Sequence, residues 1–186
     1  MADVQQVVNF ILVWAHGSGE HITNLWLQKL LYFAQGQQLA RSGECLFSDR
    51  IEAWDYGPVV PNVYHKYKVC GKSPIPQDDE VVNSNVTNKE RDLLCDVLRV
   101  YGIYSASELS RQSHQTTPWQ NAYNGTKHQE ISILEMKKYF SDPSRMIQSF
   151  DDILQNANIP MYDVRNPDGF FLLPADEDAG EFEDAL

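Results

Sequence analysis

The stretch between Thr23 and Ser42 constrains the fold more than any other part of the sequence, because it is apolar on more than one side. At 100° per residue, its main apolar arc spans about 160°, wider than a helix on a protein surface needs. The opposite side is mixed, with Leu25, Lys29, Tyr32, Gly36 and Leu39, and with Gln28 and Gln35 at its edge. A glycine inside a helix costs about 1 kcal/mol relative to alanine, so Gly36 indicates that another element packs closely there. We therefore predict a central helix over about residues 23–42 that is covered on two sides.

Signals for further helices recur along the chain. Apolar residues from Val4 to Ala15 repeat at helical spacing and predict a helix over 3–16. Pro61 favours a helix over about 62–68, and Asp142-Pro143 favours another that continues to Leu154. The capping-box pattern, a hydroxyl residue followed three positions later by Glu or Gln, occurs at Thr87–Glu90, Ser105–Glu108, Thr117–Gln120 and Ser132–Glu135. The predicted fold class is mainly α: a compact helical domain around the central helix, with a small β arm or hairpin.

Two segments favour extended structure. Ile51 to Tyr56 alternates, with Glu52, Trp54 and Tyr56 on one side, which predicts a short strand that ends at Gly57-Pro58. The turn sequence Asn166-Pro-Asp-Gly169 predicts a hairpin between 161–164 and 170–173. We expect a helical domain over 1–125, C-terminal helices and this hairpin packing on the same domain over 126–174, and a disordered acidic tail over 175–186.

The charge and the cysteines limit the classes of function. The net charge is -11, and residues 175–186 hold six acidic residues and no base. Clustered Lys and Arg are needed for phosphate contacts, so the composition disfavours nucleic-acid binding. The three cysteines, Cys45, Cys70 and Cys95, have no framework spacing and predict reduced thiols in the core. No basic leader precedes the apolar run 7–15 and no apolar stretch reaches ~20 residues, so we predict a cytoplasmic protein with no membrane contact.

Residue patterns for catalysis or metal binding are weak. The five histidines have no partner at metal-ligand spacing, and no P-loop, GxGxxG, GxSxG or HExxH is present, so we predict no metal and no cofactor. The hydroxyl-rich segment from Ser105 to Trp119 contains Glu108 and His114, which keeps a hydrolase-type enzyme as an alternative. Because Ser105 and Thr117 are needed as helix caps, we favour a protein that is not an enzyme. The acidic residues Asp49, Glu52 and Asp55 are expected to be solvated.

Aromatic residues cluster around the predicted arm: Tyr32, Trp54, Tyr56, Tyr64 and Tyr67. Tyr and Trp have large amphipathic surfaces and are enriched among interface hot spots, and cores use them as well. Both roles stay open here. Lys29 and Gln35 lie on the second side of the central helix, where hydrogen bonds to the arm 51–57 would satisfy them.

Two long segments, Leu27 to Gly36 and Ile51 to Tyr64, closely resemble the Panacea domain, which is also called SocA-like. Its members are often named phage-associated GepA-like proteins. A third segment, with Leu109-Ser110, Ser113-His114 and Pro118-Trp119, is similar to a later motif of the family. The resemblance covers roughly residues 4–125 and implies a fold and function shared with that family.

The resemblance implies an antitoxin of a two-gene system, which binds and neutralises a protein toxin encoded by a neighbouring gene. One branch of the family delivers its toxin to a AAA+ protease as a proteolytic adaptor. No catalytic residues carry over. The residues that we expect to bind a partner are Lys29, Tyr32, Gln35, Trp54, Tyr56 and Tyr64. The alternative is a phage or prophage regulatory or counter-defence protein that binds another host protein on the same scaffold.

Overall fold

The structure, a computed structural model, describes residues 1–76, 85–125 and 129–156. Within these ranges the chain is mainly helical with one small sheet, which confirms the predicted fold class. The helices are α1 (Val4–Gly17), α2 (Asn24–Ser42), α3 (Pro61–Tyr67), α4 (Asn88–Tyr101), α5 (Ala106–His114), α6 (Thr117–Ala122), α7 (Ile133–Phe140) and α8 (Phe150–Asn156). The strands are β1 (Glu52–Trp54), β2 (Gly57–Val59) and β3 (Gln129–Glu130). A 3-10 turn, Lys68–Cys70, follows α3.

The chain divides into two units. Met1–Ser149 forms one compact unit, and Phe150–Leu186 forms a second, of which the structure describes α8. The predicted division at residues 125 and 174 stays a prediction. The predicted hairpin over 161–173 and the acidic tail 175–186 lie outside the described residues.

Helix α2 is the centre of the first unit. It packs against α1, α3, α4, α5, α7 and β2, and all but a few of its side chains are buried. Apolar residues such as Leu27, Leu30 and Leu31 have no exposed surface, and neither do the polar residues Lys29 and Gln35. The prediction of a central helix that is covered on two sides is confirmed, and its cover is more complete than periodicity indicates.

Gly36 lies directly against the ring of Phe140 in α7. A β-carbon built on Gly36 would overlap that ring, since even its more distant Cγ would be only 2.7 Å away. Tyr32 and Phe33 contact the same ring edge-on, with centroids 5.6 Å and 6.2 Å from it. The close approach that Gly36 predicts is therefore present, and the neighbouring element is α7.

The arm is a β-hairpin that belongs to a three-stranded antiparallel sheet of order β2-β1-β3. Glu52 pairs with Val59 and Trp54 with Gly57, so the chain turns at Asp55–Tyr56. The prediction that Gly57-Pro58 ends the extended segment was wrong, because these residues begin the second strand. Pro58 is tolerated there because β2 is an edge strand.

Helix starts follow the capping patterns in most places. The side chains of Thr87, Ser105 and Ser132 accept hydrogen bonds from backbone amides in the first turns of α4, α5 and α7. The Thr117–Gln120 pattern does not form a capping box, because Thr117 is already helical and Thr116, which precedes α6, makes no side-chain cap.

The helix predicted from Asp142-Pro143 does not form, and α8 begins only at Phe150. The side chain of Gln37 in α2 competes for this backbone. Its Nε2 donates to the Arg145 carbonyl at 2.8 Å, and its Oε1 accepts from the Ile147 amide at 3.1 Å. A buried side chain therefore bonds groups that a helix would pair internally.

All three cysteines are free thiols, but none is fully buried and Cys95 is exposed. The prediction of core thiols is wrong for Cys95, because α4 turns this position to solvent while Leu94 and Leu98 face the core. No helix in the described ranges has the length and apolar character needed to cross a membrane.

Candidate partner-binding site

Polar side chains of α2 hold the backbone of the hairpin. Lys29 Nζ donates to the Pro58 carbonyl at 2.8 Å, and Gln28 Oε1 accepts from the Val60 amide at 2.8 Å. These contacts satisfy backbone groups on the edge strand and just beyond it, which would otherwise be unpaired inside the protein. Hydrogen bonds from α2 side chains therefore fix the position of the hairpin relative to α2.

Gln35 performs the same task about two turns further along α2. Its Oε1 accepts from the amides of Leu46 and Phe47 at 2.9 Å and 3.2 Å, and its Nε2 donates to the Phe47 carbonyl at 3.1 Å. We expected Lys29 and Gln35 to bond the arm 51–57. Lys29 bonds Pro58, just beyond it, whereas Gln35 bonds the segment that leads into β1.

Lys29 is an unusual residue for an interior position. Burial lowers the pKa of its amine from 10.5 to about 7, because the charged form loses its hydration. Among the described residues no carboxylate forms an ion pair with it. A β-carbon at Gly57 would lie 2.9 Å from Nζ and 2.6 Å from Ser113 Oγ, and Gly57 has φ +96°. Space and backbone conformation both require glycine at this corner of the hairpin.

Helices α5 and α6 hold the turn of the hairpin from outside. Ser110 Oγ in α5 donates to the Tyr56 carbonyl at 2.9 Å, and the Tyr123 hydroxyl, just after α6, donates to Asp55 Oδ1 at 3.0 Å. Burial, and then the charge of Lys29, lower the pKa of His114. A hydrogen bond from His114 to the Asp55 backbone acts in the opposite direction. The three segments that resemble the Panacea domain therefore meet at this turn.

Aromatic side chains surround the held turn. Tyr56 is 75% exposed at its tip. Trp54 and Tyr64 are half-buried and pack edge to face, with ring centroids 4.9 Å apart. On the α5–α6 side, Trp119 stacks on Tyr123 at 4.5 Å. A rigid backbone therefore carries a mixed aromatic surface.

Glu52 was expected to be solvated with Asp49 and Asp55, and this was wrong, because only 3% of Glu52 is exposed. Its carboxylate accepts from Trp54 Nε1 at 2.9 Å and pairs with Arg50 Nε at 2.9 Å. The indole and guanidinium groups supply the partners that a buried carboxylate needs.

The six residues predicted to bind a partner separate into two groups. Lys29, Tyr32 and Gln35 have no exposed surface, and the Tyr32 hydroxyl bonds Thr116 Oγ1 at 2.7 Å, while burial raises the pKa of Tyr32. Trp54, Tyr56 and Tyr64 reach the surface, on the hairpin and on the helix that follows it. Their partner-binding role stays a prediction.

Sequence reasoning missed two residues that shape this site. Ser110 belongs to the third segment of the resemblance, and its place in that motif was a usable signal. Tyr123 lies beyond every motif and carries no comparable signal. Both act on the turn through single hydrogen bonds.

The groups of the alternative enzyme site are engaged elsewhere. The Glu108 carboxylate bonds Arg111 in its own helix, and Ser113 Oγ donates to the Ser110 carbonyl at 2.8 Å. No hydrogen bond found among the described residues joins Ser113, His114 and Glu108 to one another. The same part of the chain contains no group of three or more His, Cys, Asp or Glu residues arranged to hold a metal ion.

Comparisons with known proteins agree with these motifs. The family model described as "Antitoxin SocA-like, Panacea domain" matches residues 27–120. The protein named "Antitoxin SocA" from Caulobacter vibrioides (strain NA1000 / CB15N) is 34% identical over 142 residues, which cover 66% of this chain and 71% of that relative. No solved structure matches. The motifs, the family model and this relative together establish that the chain belongs to the SocA-like antitoxin family with a Panacea domain.

Proposed function

We propose that this protein is a non-catalytic antitoxin that neutralises a protein toxin by direct contact. The toxin would bind the exposed Tyr56 and the half-buried Trp54 and Tyr64, which together we call the hairpin surface. Membership of an antitoxin family supports the general role. The choice of surface is supported by its geometry.

The single observation that carries this proposal is the contrast between the backbone and the side chain of Tyr56. Ser110 bonds the backbone carbonyl of Tyr56 in the turn, and Lys29 bonds the carbonyl of Pro58 in the following strand, while Tyr56 is 75% exposed. Hot-spot residues are typically rigid aromatic anchors, because little conformational entropy is lost when they bind. Tyr56 is aromatic, and its backbone is already held before any partner arrives.

The neighbouring pair of Trp54 and Tyr64 extends this anchor. Their mutual edge-to-face packing limits the rotamers of both rings while leaving part of each ring at the surface. Aromatic residues that are partly packed and partly exposed gain contact area on binding with little reordering. The buried residues Lys29, Tyr32 and Gln35 would support the hairpin surface from below rather than touch the toxin.

The test is co-expression with the gene adjacent to that of this protein, followed by growth and pull-down assays. Tyr56→Ala is expected to weaken toxin binding by at least about tenfold and to abolish rescue of growth, because a hot-spot truncation costs roughly 2 kcal/mol. Leu134→Ala is the matched control, since Leu134 is 79% exposed on α7. Both variants should melt at the wild-type temperature.

Rescue by Tyr56→Ala at wild-type strength would contradict the hairpin surface, and absence of any complex for the wild type would contradict the antitoxin role. The same cultures also test whether the antitoxin delivers its toxin to a AAA+ protease. A toxin level that falls in the presence of the antitoxin, and recovers in a protease-deficient strain, supports the adaptor branch. A constant toxin level with rescued growth supports neutralisation by binding alone.

A further inference from the structure

A second surface lies between α1 and the segment that follows the hairpin. It is a groove of about 220 Å³. Its walls are mostly apolar, formed on one side by Leu12 and Val13 of α1 and on the other by Tyr67, Val69 and Ile75. Small-molecule sites usually measure about 300–1,000 Å³, so this groove suits a single large side chain better than a free metabolite.

Two apolar residues that line the groove are exposed to solvent. Val69 is 88% exposed and Val13 is 44% exposed. Isolated exposed apolar residues are ordinary on protein surfaces, but these two line the same groove, one from α1 and one from the 3-10 turn after α3. Covering them would remove apolar surface from water on both walls at once.

The charge around the groove is opposite to that of the whole protein. Lys66 lines it, and Lys68 and Lys72 adjoin its lining residues in the sequence. Neither α1 nor the stretch 57–76 contains an acidic residue, although the net charge is -11. Within the described residues none of these three lysines forms an ion pair, and Lys66 lies 5.4 Å from the centre of the Tyr67 ring. The next acidic residues, Asp78 to Glu80, lie outside the described residues.

We propose that this groove is a second docking site, separate from the hairpin surface, for an acidic amphipathic segment of a partner protein. One large apolar side chain of that segment enters the groove between Val13 and Val69. Its flanking carboxylates face Lys66, Lys68 and Lys72. Charge complementarity then selects the partner while apolar burial provides the affinity.

A peptide accounts for the surface better than a nucleic acid or an anionic membrane does. A nucleic acid would use the lysines and leave the apolar walls uncovered, and the flat surface of a membrane would not fill a groove. An acidic peptide with an apolar anchor uses both features. The partner chemistry is also distinct from that of a basic toxin, which the negative net charge would attract to the rest of the surface.

The test measures fluorescence anisotropy of a labelled synthetic peptide in which glutamates flank a pair of leucines, titrated with the full-length protein at low salt. Saturable binding is expected. Val69→Ser should weaken it by about tenfold, because the burial of one aliphatic side chain is lost. Lys68→Glu should weaken it by a similar factor, whereas Lys138→Glu, an exposed lysine on α7, should have little effect. Tyr56→Ala should leave peptide binding unchanged, which separates this site from the hairpin surface.

Several results would overturn the proposal. They are the absence of saturable binding, an equal affinity for a peptide with serines in place of the leucines, or a loss of affinity with Lys68→Glu but none with Val69→Ser. Equal or tighter binding of a single-stranded oligonucleotide or of phosphatidylserine vesicles would assign the lysines to polyanion recognition instead. The melting temperature of each variant is measured first, and Val69→Ala replaces Val69→Ser if the serine variant is unstable.

Discussion

Helix α2 and the β1–β2 hairpin use their residues in opposite ways. Helix α2 buries most of its side chains, and the buried Lys29 and Gln35 donate hydrogen bonds to backbone carbonyls of neighbouring segments. The hairpin instead accepts hydrogen bonds on its backbone, for example from Ser110 of α5, and its Tyr56 side chain is exposed to solvent. The comparison teaches that two adjacent segments of one signature can have separate duties: α2 maintains the fold, and the hairpin offers a surface.

The largest expected effect tests the α2 half of the comparison. Gly36→Leu should destabilise the protein by roughly 1–3 kcal/mol or more, because the new side chain would occupy the place of the Phe140 ring. Chemical denaturation and the melting temperature measure the loss. Gly17→Leu is the control, since a β-carbon at Gly17 meets nothing within 4 Å. Equal melting temperatures for Gly36→Leu and the wild type would show that α7 does not close this side of α2.

The second prediction concerns the buried amine of Lys29. Above about pH 7 the folded protein holds this amine neutral, while the unfolded chain keeps it protonated up to about pH 10.5. The unfolded state therefore binds more protons in this window, and the free energy of unfolding should rise with pH by up to ~1.4 kcal/mol per unit. Below pH 7 both states are protonated, and this contribution to the slope disappears.

Lys29→Met should flatten that slope, and the difference between the two proteins isolates Lys29 from other groups that titrate in the same range. Denaturant titrations between pH 7 and about pH 9.5 give the slopes and stay below the titration of the tyrosines. Lys138→Met, a change of an exposed lysine, should keep the wild-type slope. Identical slopes for Lys29→Met and the wild type would mean that Lys29 is charged and solvated in the folded protein.

The smallest expected effect on stability tests the hairpin half. Ser110→Ala removes the solvent-exposed hydrogen bond to the Tyr56 carbonyl. We expect the free energy of unfolding to fall by at most about 1.5 kcal/mol. Toxin affinity should still fall several-fold, because the turn that carries Tyr56 is less well ordered before binding. Ser107→Ala, an exposed serine in the same helix, is the control. Unaltered toxin affinity for Ser110→Ala would show that the order of the turn does not matter for binding.

Local signals predicted the elements of this protein better than the contacts between them. The central helix and the caps at Thr87, Ser105 and Ser132 depend on residues close in sequence, and they formed as expected. The helix expected after Asp142 failed because a distant side chain, Gln37, takes its backbone groups. No property of residues 142–149 taken alone indicates that competitor.

The candidate site shows the same limit. Periodicity placed Lys29 and Gln35 on the second side of α2, but it could not say that this side is fully covered. The hairpin turn was hidden because Gly57-Pro58 is a common end to extended structure, and only the edge position of β2 makes this pair compatible with a strand. Tyr123 could not be connected to Asp55, since nothing in the sequence links the end of α6 to the turn.

The contact between Gly36 and Phe140 sets a boundary for protein engineering. The family model ends at residue 120, yet Phe140 fills the space that Gly36 leaves open. A chimera that exchanges residues 27–120 between two members of the family would combine α2 from one protein with α7 from the other. The packing of position 36 against position 140 would then not be preserved by the exchange. Exchanges meant to transfer toxin specificity should therefore carry the chain through Ser149, the end of the first compact unit.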